Sequence, residues 1–245
     1  MALVYNQLNK SIADITGPSG WYGVRAAGRT IPVYVDQDYD GGGWVCVLAN
    51  RGSTGGMNNL NYQQAVNECH FRTEPSTNNS SNTRLDGPKN GTTTLSDVNI
   101  WVGLKFWEAL AGRATAGKVT VVQFVASTNG TPLSGTHTKR WRWQFDNFNT
   151  STWAFQNVTS VGGEGGTTDS PGMYNYHAVN GYSLTTHDND QDLNAGNCAT
   201  YYNNNPFWYG SCWSGNYFAG GSYADRPYWV GSSADNHQYG AVYIK

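Results

Sequence analysis

A run of alternating aspartates within residues 184–198 constrains this chain more than any other stretch of its sequence. Asp188, Asp190 and Asp192 lie among turn-forming residues, and Cys198 follows them closely. Three carboxylates this close repel one another, so they require neutralisation by a cation or by solvent. Calcium takes about six to eight oxygen ligands from carboxylates, main-chain carbonyls and water, and a flexible loop can supply them. The run therefore predicts a calcium site, with an acidic, solvated surface loop as the alternative.

The run does not have the pattern of an EF-hand. An EF-hand loop requires glycine at its sixth position and glutamate at its twelfth. Counted from Asp188, those positions hold Leu193 and Ala199, and the flanking residues lack a helical pattern. The predicted calcium site is thus an irregular loop.

The four cysteines divide into two pairs with different settings. Cys198 and Cys212 bracket a short loop, and we expect a disulfide between them. Closing a loop of about 15 residues contributes roughly 3 kcal/mol in the chain-entropy model. Cys46 and Cys69 either pair with each other or remain two buried thiols, and the sequence leaves both possibilities open.

The composition indicates a folded, loop-rich domain suited to an extracellular environment. Aromatic residues make up 14% of the chain and can build a core, whereas only 13% of the residues are charged. The net charge is −2 and no basic block is present, which argues against a nucleic-acid partner. Membrane insertion is not expected, because no run of about 18 apolar residues occurs.

Alternating and continuous apolar runs predict an antiparallel sheet with short helices, that is, the α+β class. A hairpin is expected from Ile31–Asp36 and Trp44–Ala49, joined by a glycine-rich turn. Further strands are predicted at 118–125, 139–145 and 240–245, and helices at 61–71 and 101–111. Regular structure thins out from about residue 150.

Residues 1–16 form a separate segment in this interpretation. Leu8, Ile12 and Ile15 follow helical spacing, although the segment is short for an independent helix. It is predicted to be an N-terminal arm or an assembly segment, with packing against its own domain as the alternative. The first residues also lack the basic start and apolar core of a signal peptide. This predicts either a removed leader or delivery as part of a particle.

From residue 17 to residue 245 the chain resembles the fibrinogen C-terminal-like domain of fibrinogen, ficolins and tachylectins. The motifs that carry the resemblance are, in chain order, Gly17-Pro-Ser-Gly-Trp-Tyr22, Val33-Tyr-Val-Asp36, Asp40-Gly-Gly-Gly-Trp44, Trp101-Val-Gly-Leu104, the aspartate run, Asn197-Cys-Ala199, Phe207-Trp-Tyr209 and Ser222-Tyr-Ala-Asp225. The resemblance implies one domain with a central antiparallel sheet, short helices and a loop-rich calcium-binding subdomain at about 150–240.

The resemblance also assigns roles to individual residues. Calcium would be held by the carboxylates of Asp190 and Asp192 and by the carbonyls of Asn194 and Gly196, with Asp188 as a neighbour. Lectin members bind acetylated sugars in an aromatic pocket beside the disulfide, and the residues assigned to ligand binding here are Tyr202, Tyr209, Trp213 and Tyr223. In relatives the peptide bond before the second loop cysteine is cis, which implies a cis Ser211–Cys212 bond.

Three features depart from the family pattern. One is the stretch Trp229-Val-Gly-Ser-Ser233, where relatives carry a further aromatic residue. Relatives carry a cysteine where this chain has Val35, and a histidine where it has Trp213. Trp213 either stacks on a sugar ring or packs under the loop. Because Val35 stands where relatives have a paired cysteine, one framework disulfide of the relatives is missing.

No set of residues with a catalytic signature occurs, so the protein is not expected to be an enzyme. The five histidines lie in unrelated contexts, and the only carboxylate in a suggestive position, Glu164, is in a glycine-rich stretch.

The predicted function is calcium-stabilised, non-catalytic recognition of cell-surface glycans or acetylated ligands by a homo-oligomer or other multi-copy assembly. The Asn-, Gly- and Thr-rich composition and the missing framework disulfide favour an extracellular receptor-binding or adhesion component on a phage or virion surface, such as a tail or fibre tip. A secreted innate-defence lectin and a purely structural virion protein are the alternatives.

Overall fold

A central antiparallel sheet organises the chain in the computed structural model. The structure describes residues 8–50, 57, 59–72, 83–84, 95, 98–111, 117–128, 130–137, 139–164, 181–202, 204–212, 215–216, 228–229 and 239–245. The strands are β1 (Leu8–Lys10), β2 (Gly20–Ala26), β3 (Arg29–Asp36), β4 (Trp44–Asn50), β5 (His70–Arg72), β6 (Thr83–Arg84), β7 (Asn99–Trp101), β8 (Val119–Ala126), β9 (Lys139–Phe145), β10 (Asn147–Phe148), β11 (Phe155–Gln156), β12 (Thr159–Glu164), β13 (Gly215–Asn216), β14 (Tyr228–Trp229) and β15 (Tyr239–Ile244). The helices are α1 (Tyr62–Asn67), α2 (Trp107–Leu110) and α3 (Cys198–Tyr201), with 3-10 turns at Ile12–Asp14 and Leu104–Phe106.

The last strand in sequence lies in the middle of the sheet. The order is β1-β2-β3-β4-β15-β8-β9-β12, and β15 is antiparallel to both β4 and β8. Every residue of β4 and of β15 is buried, because both faces of these strands are covered. This explains why both strands read as continuous apolar runs rather than as alternating patterns.

The predicted hairpin is confirmed. Strands β3 and β4 pair antiparallel, with Val35 opposite Val45. Their connection turns through left-handed backbone at Asp40 and at the following three glycines, whose φ angles are 77°, 73° and 76°. Only glycine adopts this conformation without a steric penalty, so the Gly-Gly-Gly run is what permits so tight a connection.

Replacing Gly42 with alanine is expected to destabilise the domain more than replacing Gly28 does. Both glycines have similar φ angles, 73° and 78°, so each substitution costs about 1–2 kcal/mol for left-handed backbone. A Cβ at Gly42 would also lie 2.2 Å from Gln37 Oε1 and 3.0 Å from Gln37 O, whereas Gly28 has open space. Crowding of this kind adds roughly 1–3 kcal/mol.

Urea denaturation of the two variants measures the difference directly. Equal losses of unfolding free energy in the two variants would show that the space around Gly42 is not restrictive.

The two predicted helices are shorter in the structure. Helix α1 begins after Asn61, whose side chain accepts from Gln64 N while the Gln64 side chain accepts from Asn61 N, and it ends at Asn67. The chain then enters β5, which pairs with β7 through His70 and Trp101. Apolar spacing alone does not separate a short strand from a helical turn, and strand pairing decides these segments.

The N-terminal segment lies against its own domain from residue 8 onward. Leu8–Lys10 form a strand parallel to β2 rather than a helical turn, and Ile15 is buried in the core. The helical spacing was therefore misleading here. Residues 1–7 lie outside the described residues, and the assembly role of residues 1–16 stays a prediction.

Cys46 and Cys69 are both free and fully buried. Burial raises the pKa of the Cys69 thiol to about 12, and it raises the pKa of the Cys46 thiol further. Both groups are protonated at neutral pH, and a protonated thiol is a poor nucleophile and metal ligand. Of the two possibilities that the sequence left open, the structure has the buried thiols.

Candidate calcium and ligand site

The first residues of the aspartate run are joined to the core. Thr185 and Phe207 exchange two main-chain hydrogen bonds of 2.9 and 3.1 Å, and Leu184 N donates to Thr152 O at 2.9 Å. Next to this bridge, the fully buried Trp208 packs on Phe155, with ring centroids 4.6 Å apart, and its Nε1 donates to Trp153 O at 2.7 Å. The irregular loop therefore lies on a group of packed aromatic residues, Trp208, Phe155 and Trp153, which we call the aromatic base.

The three aspartates are not equivalent in the structure. Asp188 Oδ1 accepts from Tyr62 N at 2.9 Å and from Thr186 Oγ1 at 2.7 Å. Tyr62 is the first residue of α1, so this carboxylate connects the loop to that helix. Asp190 and Asp192 make their contacts within the loop itself.

Asp192 organises the centre of the loop. Its Oδ1 accepts from Asn194 N and its Oδ2 from Cys198 N, both at 2.9 Å. Its own amide donates to Asp190 Oδ1 at 3.3 Å. Partial burial is the largest effect on the Asp192 carboxyl and raises its pKa. The two main-chain hydrogen bonds that it accepts oppose this rise, and the adjacent Asp190 carboxyl adds a smaller increase. Two neighbouring carboxyl groups thus converge where a cation would relieve their repulsion.

The oxygen atoms that this loop offers suit calcium by their chemical type. Gly196 O, one of the two predicted carbonyl ligands, accepts from Asn194 Nδ2 at 3.0 Å and retains a second lone pair. Cys198 and Cys212 also lie near Asp192, but their sulfurs are joined in a disulfide and are not available as thiolates. Oxygen is the ligand that hard cations prefer, so the residues present fit calcium rather than a thiophilic metal.

The predicted disulfide between Cys198 and Cys212 is confirmed, with an S–S distance of 2.00 Å. Cys198 begins α3, whose N-cap is Asn197. The Asn197 side chain accepts from Thr200 N at 3.1 Å and donates to Thr186 O at 2.9 Å. Sequence reasoning did not assign Asn197 this bridging role, although asparagine before a helix is a known capping signal.

Two of the four predicted ligand-binding aromatics are described, and they differ in exposure. Tyr202 is partly exposed, its hydroxyl donates to Cys212 O, and its ring stacks on Tyr209 with centroids 5.5 Å apart. Tyr209 is only 4% exposed, and its hydroxyl donates to Asn205 O at 3.1 Å. Tyr209 therefore backs Tyr202 in this structure rather than presenting a face to a ligand. Trp213 and Tyr223 lie outside the described residues.

The Ser211–Cys212 bond is trans, because the described residues contain no cis peptide. The implied cis bond is thus absent from this structure. Cys212 instead has a φ of 60°, which reverses the chain direction locally.

Comparison with known proteins identifies the family of this chain. Residues 89–237 match the family of fibrinogen beta and gamma chains, C-terminal globular domain, which is more than half of the chain. None of the curated proteins matches the sequence. The family match begins after the β3–β4 hairpin, so the N-terminal part is related to the family by its fold.

Several solved structures share that fold. The fibrinogen-like globe domain of human ANGPTL6 is 19% identical with a TM-score of 0.61, covering 100% of this chain and 96% of that chain. The corresponding domain of human ANGPTL2 is 20% identical with a TM-score of 0.59, covering 96% and 95%. The lamprey fibrin D-dimer is 14% identical with a TM-score of 0.63, covering 99% of this chain and 74% of that chain.

The resemblance seen in the motifs is therefore confirmed, as is the expectation that the chain is not an enzyme. No described helix is long and apolar enough to cross a bilayer. The chain belongs to the family of fibrinogen C-terminal globular domains, which are non-catalytic binding modules.

Proposed function

We propose that this protein is a calcium-stabilised lectin-type module that recognises surface glycans through the loop at residues 184–212. One observation carries the proposal: a continuous series of hydrogen bonds and one disulfide connects the acidic pair to an aromatic residue. Asp192 N donates to Asp190 Oδ1, which joins the two acidic residues. Asp192 Oδ2 accepts from Cys198 N, Cys198 is bonded to Cys212, and Cys212 O accepts from the Tyr202 hydroxyl. We infer that order at the acidic pair is transmitted to the partly exposed Tyr202 ring.

Calcium would be held by Asp190 and Asp192 with the carbonyls of Asn194 and Gly196. Members of the family commonly bind calcium. When bound, the ion supplies a positive charge that offsets the two carboxylates. The chain itself supplies the order: Asp192 orients the amides of Asn194 and Cys198, and Leu193 N donates to Gly210 O at 2.8 Å. The loop is therefore tied across to the residues that precede Cys212.

The ligand face would be built on Tyr202, and the family resemblance assigns Trp213 and Tyr223 to the same site. An apolar group such as an acetyl methyl packs well on an aromatic face while main-chain groups hold the adjacent carbonyl. Tyr209 behind Tyr202 fixes the orientation of that ring. Family members bind peptide or glycan ligands, and the lamprey fibrin D-dimer was solved with the peptide Gly-His-Arg-Pro-amide. Such a peptide is the competing ligand class.

Display in several copies would make weak sugar sites effective, because linked sites raise the effective concentration. The disulfide favours an extracellular setting. We place the protein on a phage or virus particle as a receptor-binding component, on the strength of its Asn-, Gly- and Thr-rich composition and its missing framework disulfide. A cleaved leader or an occupied glycosylation sequon in native protein, detected by mass spectrometry, would favour the secreted lectin instead.

Replacing Tyr202 with alanine is expected to weaken glycan binding at least tenfold while the stabilisation by calcium persists. The aromatic face is lost, but Asp190 and Asp192 remain. The measurement is a glycan array of acetylated and non-acetylated sugars, with the Gly-His-Arg-Pro peptide included, run in calcium and in chelator. Wild-type protein should bind sugars in calcium and lose them in chelator.

Tyr201→Ala is the matched control, since Tyr201 is the adjacent tyrosine and is 76% exposed. It should bind as the wild type does. An array on which no sugar shows calcium-dependent binding would overturn the lectin assignment, and binding of the peptide alone would replace it with peptide recognition.

A further inference from the structure

A second concave surface lies at the end of the sheet where β4 begins and β15 ends. The cleft has a volume of about 580 Å³, within the range of roughly 300–1,000 Å³ found for small-molecule sites. Its walls come from the N-terminal segment, the β3–β4 hairpin and strands β8, β9 and β15. None of its residues belongs to the loop at 184–212. Strand β7, whose Trp101 stacks on Trp208 of that loop, pairs with the other end of β4, at Leu48 and Ala49.

The walls of the cleft carry more positive than negative charge. Among the described residues that line it, the charged side chains are those of Lys118, Arg142, Lys245 and Asp40. Arg142 is ion-paired with Asp40, and this contact lowers the pKa of the Asp40 carboxyl. Asp40 is therefore ionised and already balanced. Lys118 is paired with Asp146, so Lys245 leaves a net positive charge that favours an anion.

The cations are held at defined positions. Lys245 Nζ donates to Asp40 O at 3.2 Å and lies 5.7 Å from the centroid of the Trp44 ring, and the Arg142 guanidinium lies 5.2 Å from the same ring. Lys118 Nζ is 3.6 Å from Asp146 Oδ1, and the two side chains are 37% and 36% exposed. Exposed pairs of this kind are weak and exchange readily with a competing anion.

The remaining walls combine neutral hydrogen-bonding groups with apolar surface. Gln144 Nε2 donates to Thr120 Oγ1 at 3.0 Å, so amide and hydroxyl groups lie together beside the charges. Ile12 and Ile15 supply the apolar side. Gly43 keeps the space between these walls clear, since a Cβ there would lie 3.8 Å from Ile12 Cγ2 and 4.0 Å from Lys245 Cε.

We propose that this cleft binds an acidic sugar unit. Its carboxylate or sulfate group would pair with Lys245 and Lys118. Its hydroxyls would meet Gln144 and Thr120, and its C–H faces would pack on the partly exposed Ile12. A pyranose ring carries both polar and apolar faces, which matches walls of mixed character. The site is independent of the calcium loop, so chelation of calcium leaves it intact.

Isothermal titration in the presence of EDTA tests the proposal, with glucuronate as the probe and glucose as its neutral counterpart. Glucuronate should bind at least tenfold more tightly than glucose, and higher salt should weaken its binding. Lys245→Glu should reduce glucuronate affinity at least tenfold. Arg25→Glu is the matched charge control, because Arg25 is exposed on β2 and lies outside the cleft. The affinity of the Arg25→Glu variant for glucuronate should stay within twofold of the wild type.

Three results would overturn the proposal: glucuronate binding no tighter than glucose, an equal loss in Arg25→Glu, or displacement of glucuronate by an equal concentration of inorganic sulfate. The last would show an anion site without recognition of the sugar. Thermal denaturation checks that Lys245→Glu is folded, and Lys118→Gln replaces it if it is not. Because EDTA is present throughout, failure of the calcium-dependent lectin function does not change these results.

Discussion

Replacing Trp208 with alanine is expected to lower the free energy of unfolding by about 3–5 kcal/mol, the range for deleting a large buried aromatic side chain. Trp208 is fully buried, and it contacts Trp101 and Trp107 with ring centroids 6.4 and 6.2 Å apart. It also packs on Phe155, and its indole N–H donates a hydrogen bond to Trp153 O. The substitution would therefore leave a cavity between the sheet and the loop that carries the candidate site, together with an unpaired carbonyl.

Thermal and urea denaturation measure this loss, and two further variants separate its causes. Trp208→Phe keeps most of the ring and should lose less stability. Leu193→Ala truncates an apolar side chain of the same loop that is 74% exposed, and it should have almost no effect. A Trp208→Ala protein that melts with the wild type would show that the loop does not depend on the aromatic base.

Replacing Asp192 with alanine is expected to abolish stabilisation by calcium. A ligand at about 100 times its dissociation constant stabilises the folded state by roughly 2.7 kcal/mol, and this increment should disappear. The amides of Asn194 and Cys198 would also lose their acceptor, which costs about 1–3 kcal/mol where the amides stay shielded from water. Melting temperatures in calcium and in EDTA should therefore coincide for the variant and differ for the wild type.

Asp188→Ala provides the matched control for this experiment. It removes a carboxylate of the same run, but one whose contacts are Tyr62 N and Thr186 Oγ1. It should lower stability in both buffers and keep the difference between them. If wild-type protein melted identically with and without calcium, or if Asp188→Ala alone lost the response, the assignment of Asp190 and Asp192 as the metal ligands would be wrong.

Much of the fold could be predicted because local patterns and long-range structure agree there. The β3–β4 hairpin follows from two apolar runs around a Gly-Gly-Gly turn, and β8, β9 and β15 follow from their apolar or alternating patterns. Short elements were predicted less well. The segment around Trp101 has apolar spacing compatible with a helix, yet pairing with Leu48 and His70 makes it a strand.

The candidate site divides in the same way. Acidic residues at alternate positions, a closely spaced cysteine pair and tyrosines nearby are local features. They predicted the disulfide, which the structure confirms, and a calcium site, which stays a prediction. The burial of Tyr209 behind Tyr202 was not visible in the sequence, because it depends on how Phe207, Tyr209 and Asn205 pack together. An aromatic residue in a polar loop has the same sequence pattern whether it binds a ligand or supports one.

The sequence by itself determined the family, the acidic loop with its disulfide, and the glycine hairpin, since each depends on residues close together in the chain. The tertiary structure alone decided that Asp188 joins α1, that Trp208 packs on Phe155, and that Lys118, Arg142, Lys245 and Asp40 line one cleft. The partners in each case are far apart in sequence, and only the fold brings them together. Lys245 reaches the cleft because β15, which it follows, lies between β4 and β8. Side-chain chemistry and turn preference are local properties, whereas burial and the choice of partner arise from the packing of distant segments.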